Sequence, residues 1–495
     1  MNPAQLLAHF NRIGEAPEAI PRLRHFILDL AVRGKLVEQV EPRENFLNDY
    51  INEPTSEELP SNWRLLNFGK FCDIQGGNQP PKSQFLDEPR PGYVRLFQIR
   101  DLGESPVPTY IPEGSTNRFC RGGEILIGRY GASVGKIFWA QDGAYNVALA
   151  KLIYPQTAFV PQFAFLILKS SFFQAKLTGA TRSAQAGFNK GDLADIDFPL
   201  PPLAEQHRIV AKVDELMALC DRLEAAQKER ENRRDRLVAS SLHHLNNGAD
   251  ADAFREHARF YFNHLPRLTT RPDHIKQLRQ TILNLAVRGR LTPSLAWPEQ
   301  PVPLRQLATL QNGYAFKSEW FSRSGVRLLR NVNVSHDVIR WDDLAFLPKI
   351  RCAEFERFRL NEGDVVLSLD RPFIVSGTKV ARVRSEDLPC LLLQRVGRFQ
   401  PKLEQLCPEY LFLWLHSPNF TDQINPGRSN GVPHISSKQV ESALLFVPSL
   451  AGQQRIVTKV NKLMALCNQL ETQLTTTQSD SQKLMEAILH EALTG

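Results

Sequence analysis

The chain has 495 residues, 42% of them hydrophobic, with 60 Lys and Arg against 53 Asp and Glu and a formal net charge of +7. That length suggests several domains, the composition is that of a globular protein, and the mild basicity permits nucleic-acid binding without proving it. No run is apolar for long enough to span a bilayer, and the seven cysteines show no CxxC pairing, which argues against a disulfide framework or a zinc site and fits a reduced cytoplasm.

The N-terminus, MNPAQLLAHFNRIGEAPEAI, lacks a basic region followed by an apolar block and does not read as a signal peptide. Residues 1–59 form a segment with a short helix, LRHFILDLAVRGKL (23–36), followed by a polar acidic stretch. Ile27, Leu30, Ala31 and Leu36 give the helix one apolar face, and Gly34 is its expected stop. Residues 60–202 form a first globular block, rich in Gly, Pro and short β-type runs such as YVRLF (93–97) and EILI (124–127). A helical segment is expected over 161–177, then a Gly-rich turn, GATRSAQAGFNKGDL, and a short strand broken by Pro199.

Residues 203–291 comprise a long helix, a connection and a second short helix. The long helix begins LAEQHRIVAKVDELMALCDRLE and runs on to Leu245. Its seam is Ile209, Val213, Leu216, Cys220 and Leu223, turning polar at Gln227, Arg230 and Arg234 and resuming at Leu237. The basic run KERENRRDR (228–236) reads as a solvated helix face, and His243 and His244 as solvent-facing. The connection, NNGADADAFREHARFYFNHLPRLTTRPD, carries few helix-seam signals and reads as partly mobile. The short helix then returns as LRQTILNLAVRGRL (278–291).

Residues 292–449 repeat the first block in outline: GDVVLS (363–368) answers GEILIG (123–128), PEYLFLWLHS answers PQFAFLILKS, and GRSNGVPHISSKQV answers TRSAQAGFNKGDL. Residues 450–495 repeat the long helix as LAGQQRIVTKVNKLMALCNQLE, with a seam at Ile456, Val460, Leu463, Cys467, Leu470, Leu474, Leu484 and Ile488. At about 1.5 Å per residue each helix makes a rod of about 65 Å, too long for a domain core, and matching seams should pair. The expected architecture is α+β: two mixed α/β globular domains separated by two long antiparallel coiled-coil helices, with pseudo-twofold internal duplication. The helices kept their sequence after duplication while the blocks diverged, which points to two different targets. Drift under packing constraint alone is the plainer alternative.

The chain lacks HExxH, a Cys–His cluster and a Gly-rich cofactor loop. YGASVGKI (130–137) lacks the first glycine and final hydroxyl of a phosphate loop and reads as a strand-to-turn segment. No catalytic or metal site is expected. Nucleic-acid contact has better candidates. In the first block these are Gln75, Asn78, Arg95, Arg100, Arg129, Tyr130, Lys136, Arg182 and Lys190. In the second they are Asn312, Arg327, Arg330, Asn331, Arg371, Lys379 and Arg428. Arginine can hold guanine, and Asn or Gln adenine, through two hydrogen bonds, while neighbouring glycines let a loop come close. Each of these residues taken singly reads equally well as ordinary solvated surface.

The paired short helices, the proline-led FPLPPLAEQHRIVAKVDELM and FVPSLAGQQRIVTKVNKLM, and the GEILIG/GDVVLS and NGYAFKS segments resemble the specificity subunit of Type I restriction–modification systems over nearly the whole chain. The second copy has Gly452-Gln453 where the first has Glu205-Gln206, which puts in doubt any shared role for the Glu205 carboxylate. The resemblance implies a cytoplasmic, non-catalytic DNA-recognition subunit active in phage defence, whose two target-recognition domains each read half of a split site in double-stranded DNA. It also implies two methyltransferase (modification) subunits and restriction/translocation subunits as partners, with S-adenosylmethionine, ATP and Mg2+ bound there and no cofactor on this chain. The residues alone leave open a DNA methyltransferase or nuclease with an unrecognised site.

Overall fold

The computed structural model describes residues 16, 18–39, 59–102, 105–180, 187–247, 250–292, 295–429 and 431–494. The candidate Arg182 and most of the acidic stretch before residue 59 lie outside the described residues. The chain forms two units, residues 1–229 with 478–495, and residues 230–477. Among the described residues no helix is long and apolar enough to cross a membrane.

The first unit opens with helix α1 (Ala19–Val32). Strands β1 (Arg64–Asn67) and β10 (Asp197–Leu200) close the block as an antiparallel pair, Arg64 opposite Leu200. Between them lie two four-stranded sheets. One has the order β2 (Asp73–Gly76), β9 (Leu149–Ile153), β6 (Ile125–Gly128), β7 (Ile137–Trp139). The other has the order β4 (Tyr110–Pro112), β3 (Tyr93–Phe97), β8 (Gly143–Tyr145), β5 (Phe119–Cys120). Strand β6 reads as an unbroken apolar run because both its faces are covered. Ile125 and Ile127 pack with α1, α2 (Pro161–Lys169) and α3 (Ser171–Ala180), while Leu126 packs with Phe97, Tyr145 and Leu149.

Helix α4 (Leu203–Asn247) begins in this unit. Gln206, fully buried in its first turn, accepts from Val160 N (2.8 Å) and donates to the carbonyls of Ala158 and Pro201 (2.8 and 2.9 Å). Its neighbour Glu205 accepts from the Trp63 indole and the Asn62 amide, both at 2.9 Å.

The second unit repeats the plan. Helix α5 (Ala251–Asn263) follows α4, and α6 (Pro272–Val287) is the second short helix. Strands β11 (Val302–Pro303) and β23 (Leu444–Leu445) close the block. The main sheet has the order β12 (Ala308–Asn312), β20 (Val396–Pro401), β15 (Val365–Ser368), β18 (Val380–Arg382). The smaller sheet has the order β14 (Phe346–Leu347), β13 (Val326–Leu329), β19 (Cys390–Leu392). Two hairpins are added, β16 (Phe373–Ile374) with β17 (Gly377–Thr378), and β21 (Gly427–Ser429) with β22 (Val432–His434). Helix α7 (Pro408–His416) matches α2, and α8 (Leu450–Thr494) matches α4. The buried Gln453 copies Gln206 bond for bond, accepting from Cys407 N (2.8 Å) and donating to Gln405 and Pro448 carbonyls (2.8 and 2.9 Å).

The short helices lock onto the long ones through matched ion pairs. Arg24 meets Glu224 at 2.9 Å and Asp221 at 2.6 Å in the first unit, and Arg279 meets Glu471 at 2.6 Å in the second. The N-terminal helix also meets the end of α8, Arg22 to Glu486 at 2.6 Å and Lys35 to the Leu493 carbonyl at 2.8 Å. Arg208 near the start of α4 also donates to the Glu38 carbonyl, so α1 runs parallel to the end of α8 and antiparallel to the start of α4, and within this unit the two long-helix segments run antiparallel. In the second unit, Asn284 bonds Asn246 at 2.8 Å and His274 meets Asp235 at 2.9 Å.

Three expectations are corrected here. The connection after α4 is helical: Asp250 caps α5 by accepting from Asp252 N and Ala253 N (2.9 and 2.7 Å), and Phe254, Ala258, Tyr261 and Leu265 pack against the core. The seam of α4 resumes at Val238, Leu242 and Leu245, while Leu237 is 45% exposed. Near the end of α8 Met485 is fully buried, beside a half-buried Leu484. Both shifts are by one residue, four heptads along. An α-helix drifts by about 20° per heptad against a 3.5-residue repeat, so four heptads accumulate nearly one residue's step of about 100°.

Candidate nucleic-acid interface

Both main sheets end on the same construction. In the first unit, β2 pairs Gly76 with Ala150 and β6 pairs Gly128 with Leu149, so the ends of these strands lie side by side. Gly77 crosses the incoming chain so closely that a Cβ there would lie 2.0 Å from the Asn146 carbonyl oxygen. In the second unit Asn312 pairs with Gly397 and Ser368 with Val396, and Gly313 makes the same crossing, 2.2 Å from the Leu393 carbonyl. Only glycine tolerates this approach. The crossing bundles the loops after β2, β6 and β8, and their counterparts, into one rim on each sheet.

The first rim gathers Gln75, Asn78, Arg129 and Tyr130. Gln75 accepts from the Tyr145 hydroxyl at 2.9 Å, and exposed Asn78 turns its side-chain oxygen to Gln79 N at 2.8 Å. The Arg129 guanidinium lies across Gly76 and 5.3 Å over the Tyr130 ring, with Nε donating to the Phe188 carbonyl at 3.3 Å. Tyr130 itself is exposed. Arg100 joins through Thr109, whose hydroxyl it shares with Gln98 at 3.0 Å each. Three more polar residues stand here without having been singled out by sequence: Gln79, Gln98 and Asn146, the last 3.5 Å from Gln79.

The remaining first-block candidates are engaged elsewhere. Arg95 lies 4.9 Å over the Phe97 ring. Lys190 pairs at 2.7 Å with Asp73, at the opposite end of β2, and this bond holds the Asp73 carboxyl below its usual value despite partial desolvation. Exposed Lys136 lines a groove with α1, α2 and α4.

The second rim gathers Asn312, Arg371 and the hairpin carrying Arg428. Asn312 accepts from the Ser437 hydroxyl at 2.7 Å. Arg371 is exposed with a positive φ of 46°, and its backbone N–H donates to the Pro433 carbonyl at 2.8 Å, tying it to β22. Beside it, Asp370 receives His434 at 2.7 Å and Arg395 at 3.4 Å. Sequence reasoning missed this triad, whose members lie far apart in the chain. Lys379 is buried, donates to the Asn331 carbonyl, and has its pKa lowered by desolvation and then by Arg371. Arg327 donates to the Glu386 and Leu388 carbonyls at 2.8 and 3.1 Å and stacks 4.5 Å over Trp341, and Arg330 pairs with Asp343 at 2.8 Å. Both hold the smaller sheet together.

Each unit also carries a groove between its short helix, its long helix and α2 or α7. Arg24, Leu28, Phe165 and Met217 line the first, and Arg279, Leu283, Phe412 and Met464 occupy the same positions in the second.

The family model of the Type I restriction modification DNA specificity domain matches residues 60–231 and again 300–477. The EcoAI specificity subunit of Escherichia coli is 29% identical over 96% of this chain and 94% of its own length. The EcoKI specificity subunit of Escherichia coli K12 is 24% identical over 88% and 90%. The MjaVIII specificity subunit of Methanocaldococcus jannaschii is 23% identical over 86% and 91%. A chain solved in work on complex assembly and conformational transition of the type I R-M system superposes with a TM-score of 0.53 at 17% identity, covering 89% of this chain and 99% of its own. With two sheets of one topology, two glycine-crossed rims and two family matches, the chain belongs to the Type I restriction–modification specificity subunits and is the non-catalytic DNA-specificity component of such a system.

Proposed function

We propose that residues 60–202 and 292–449 are target-recognition domains, each reading one half of a split double-stranded DNA site through its rim. The observation that carries this reading is one backbone crossing furnished with two sets of side chains. Gly77-Asn78 answers Gly313-Tyr314, and Arg129-Tyr130 lies on the segment matching Leu369, Asp370 and Arg371. A common scaffold places both rims the same way while their donors and acceptors differ, which is what direct readout of two different half-sites needs. Helices α4 and α8 set the spacer, and the two grooves receive two methyltransferase subunits. S-adenosylmethionine, ATP and Mg2+ act on those subunits and on the restriction/translocation subunits, in the cytoplasm. Mapping methylated adenines in genomes with and without this chain tests the reading. A bipartite motif that vanishes with the chain supports it, and an unchanged methylation pattern would overturn it.

A further inference from the structure

Outside the rims, the second unit assembles a cluster that no linear motif announces. His336 and Asp337 follow β13, and His416 is the last residue of α7. One donor atom from each lies within 4.8 Å of the other two. His416 Nε2 stands 2.8 Å from one Asp337 carboxylate oxygen, and His336 Nε2 stands 3.5 Å from the other.

An ion pair between His416 and Asp337 is the simplest alternative, and three features disfavour it. First, the His416 side chain is only 5% exposed, and burying a charged ring there is costly. Second, neither His416 ring nitrogen makes a hydrogen bond of acceptable geometry, although Nε2 lies at contact distance from the carboxylate. Third, His336 Nδ1 lies 3.1 Å from the Thr378 carbonyl. Nδ1 therefore carries a proton and donates it to that carbonyl, which turns Nε2 toward the Asp337 carboxylate. A carbonyl that orients one imidazole nitrogen and frees the other is the usual outer support of a metal-bound histidine. Asp337 itself is held at φ 66°, with its N–H on the Val380 carbonyl at 3.0 Å, a backbone conformation an L-residue adopts at some cost.

We propose that His336, Asp337 and His416 form a binding site for one divalent transition-metal ion of the zinc type, with solvent from the adjoining groove completing the coordination. Two imidazoles and one carboxylate suit such a cation and leave it an open position. The ion would clamp the turn after β13 to the end of α7. The duplicated groove is an internal control, because Lys169 stands where His416 does. Among the described residues this is the one such group, so one ion per chain is expected. The site is independent of the DNA reading, since it is tested on the isolated chain.

The test is calorimetric titration of the tag-free, chelator-stripped full chain with ZnCl2, repeated on His336→Ala and Asp337→Asn, with circular dichroism to establish that each variant is folded. One equivalent should bind to the wild type, and each variant should bind more weakly by more than about tenfold, since loss of even an outer-shell partner costs roughly 10–100-fold. Titration with Co2+ should give visible bands without a thiolate charge-transfer band, which excludes the cysteines as ligands. The absence of stoichiometric binding, a thiolate band, or undiminished binding in both variants would each overturn the assignment.

Discussion

Gln206 and Gln453 show what single residues settle. Each is sealed from water and satisfies one backbone N–H and two carbonyls at the point where a block meets its long helix. A leucine of similar size would leave those groups buried and unpaired, at about 1–3 kcal/mol for each. Gln206→Leu should therefore destabilise the first unit by roughly 3 kcal/mol or more. Gln453→Leu should do the same to the second. Hydrogen exchange resolved by unit would show the loss confined to the mutated copy, and a loss spread equally over both would count against this. The neighbouring position differs between the copies: the Glu205 carboxylate serves the Trp63 indole and the Asn62 amide, whereas Gly452 abuts Leu295 and Pro448. Arginines divide by the same logic. Arg371→Ala should weaken specific DNA binding by about 1–3 kcal/mol with the fold intact, as for loss of a base-reading side chain. Arg327→Ala should instead lower the melting temperature, because it strips two carbonyls of a donor and uncovers Trp341. Gel shifts of the assembled complex and thermal melts of the two variants separate these outcomes.

At the scale of elements, α5 was within reach of sequence reasoning. Phe254, Ala258, Tyr261 and Leu265 are spaced at four, three and four residues, and Asp250 precedes them as a cap. Glycine, asparagine and charged residues at the junction masked the pattern. Asp250→Ala should cost about 1 kcal/mol, measured by chemical unfolding, because it frees two N–H groups of the first turn. The long helices carry the spacing argument. A heptad inserted after Glu229 and another after Thr477, where each helix passes from one unit into the other, add about 10.5 Å. That length is about three base pairs of B-DNA, over which the duplex turns by about a third of a revolution. The expected result is weakened binding with a preference for longer spacers and unchanged half-site bases, read by sequencing methylated sites. Wild-type spacing at wild-type efficiency would end the ruler reading.

At the scale of the whole molecule, the duplication explains why two units of the same plan carry different chemistry. Helix packing tolerates few changes along a buried stripe, so α4 and α8 stayed alike, as did α1 and α6. Rim loops carry side chains on a backbone already set by the sheet and can diverge without loss of fold. Replacing residues 60–202 with the corresponding block of another specificity subunit should change one half of the methylated motif and leave the other, as read by methylation mapping. A change in both halves would show that the rims do not act independently.

The amino-acid sequence by itself determined the duplication, the order of short helix, block and long helix, the strands equivalent to GEILIG and GDVVLS, and the family. These are properties of local periodicity and of repeated text, which survive without any long-range contact. Only the tertiary structure decided which candidates share a rim. Sheet pairing across some seventy residues brought Gln75 to Tyr145, and a similar span brought Asp370 to His434, whereas Lys190 was drawn to the far end of β2. It also turned Arg327, Arg330 and Lys379 inward, buried Val238 and Met485 in place of Leu237 and Leu484, and joined His336 and Asp337 to a histidine at the end of a distant helix. The physical reason is common to all of these: a side chain's partner is chosen by chain closure, and closure over many residues follows from the packing of the whole sheet rather than from any spacing in the neighbourhood of the residue itself.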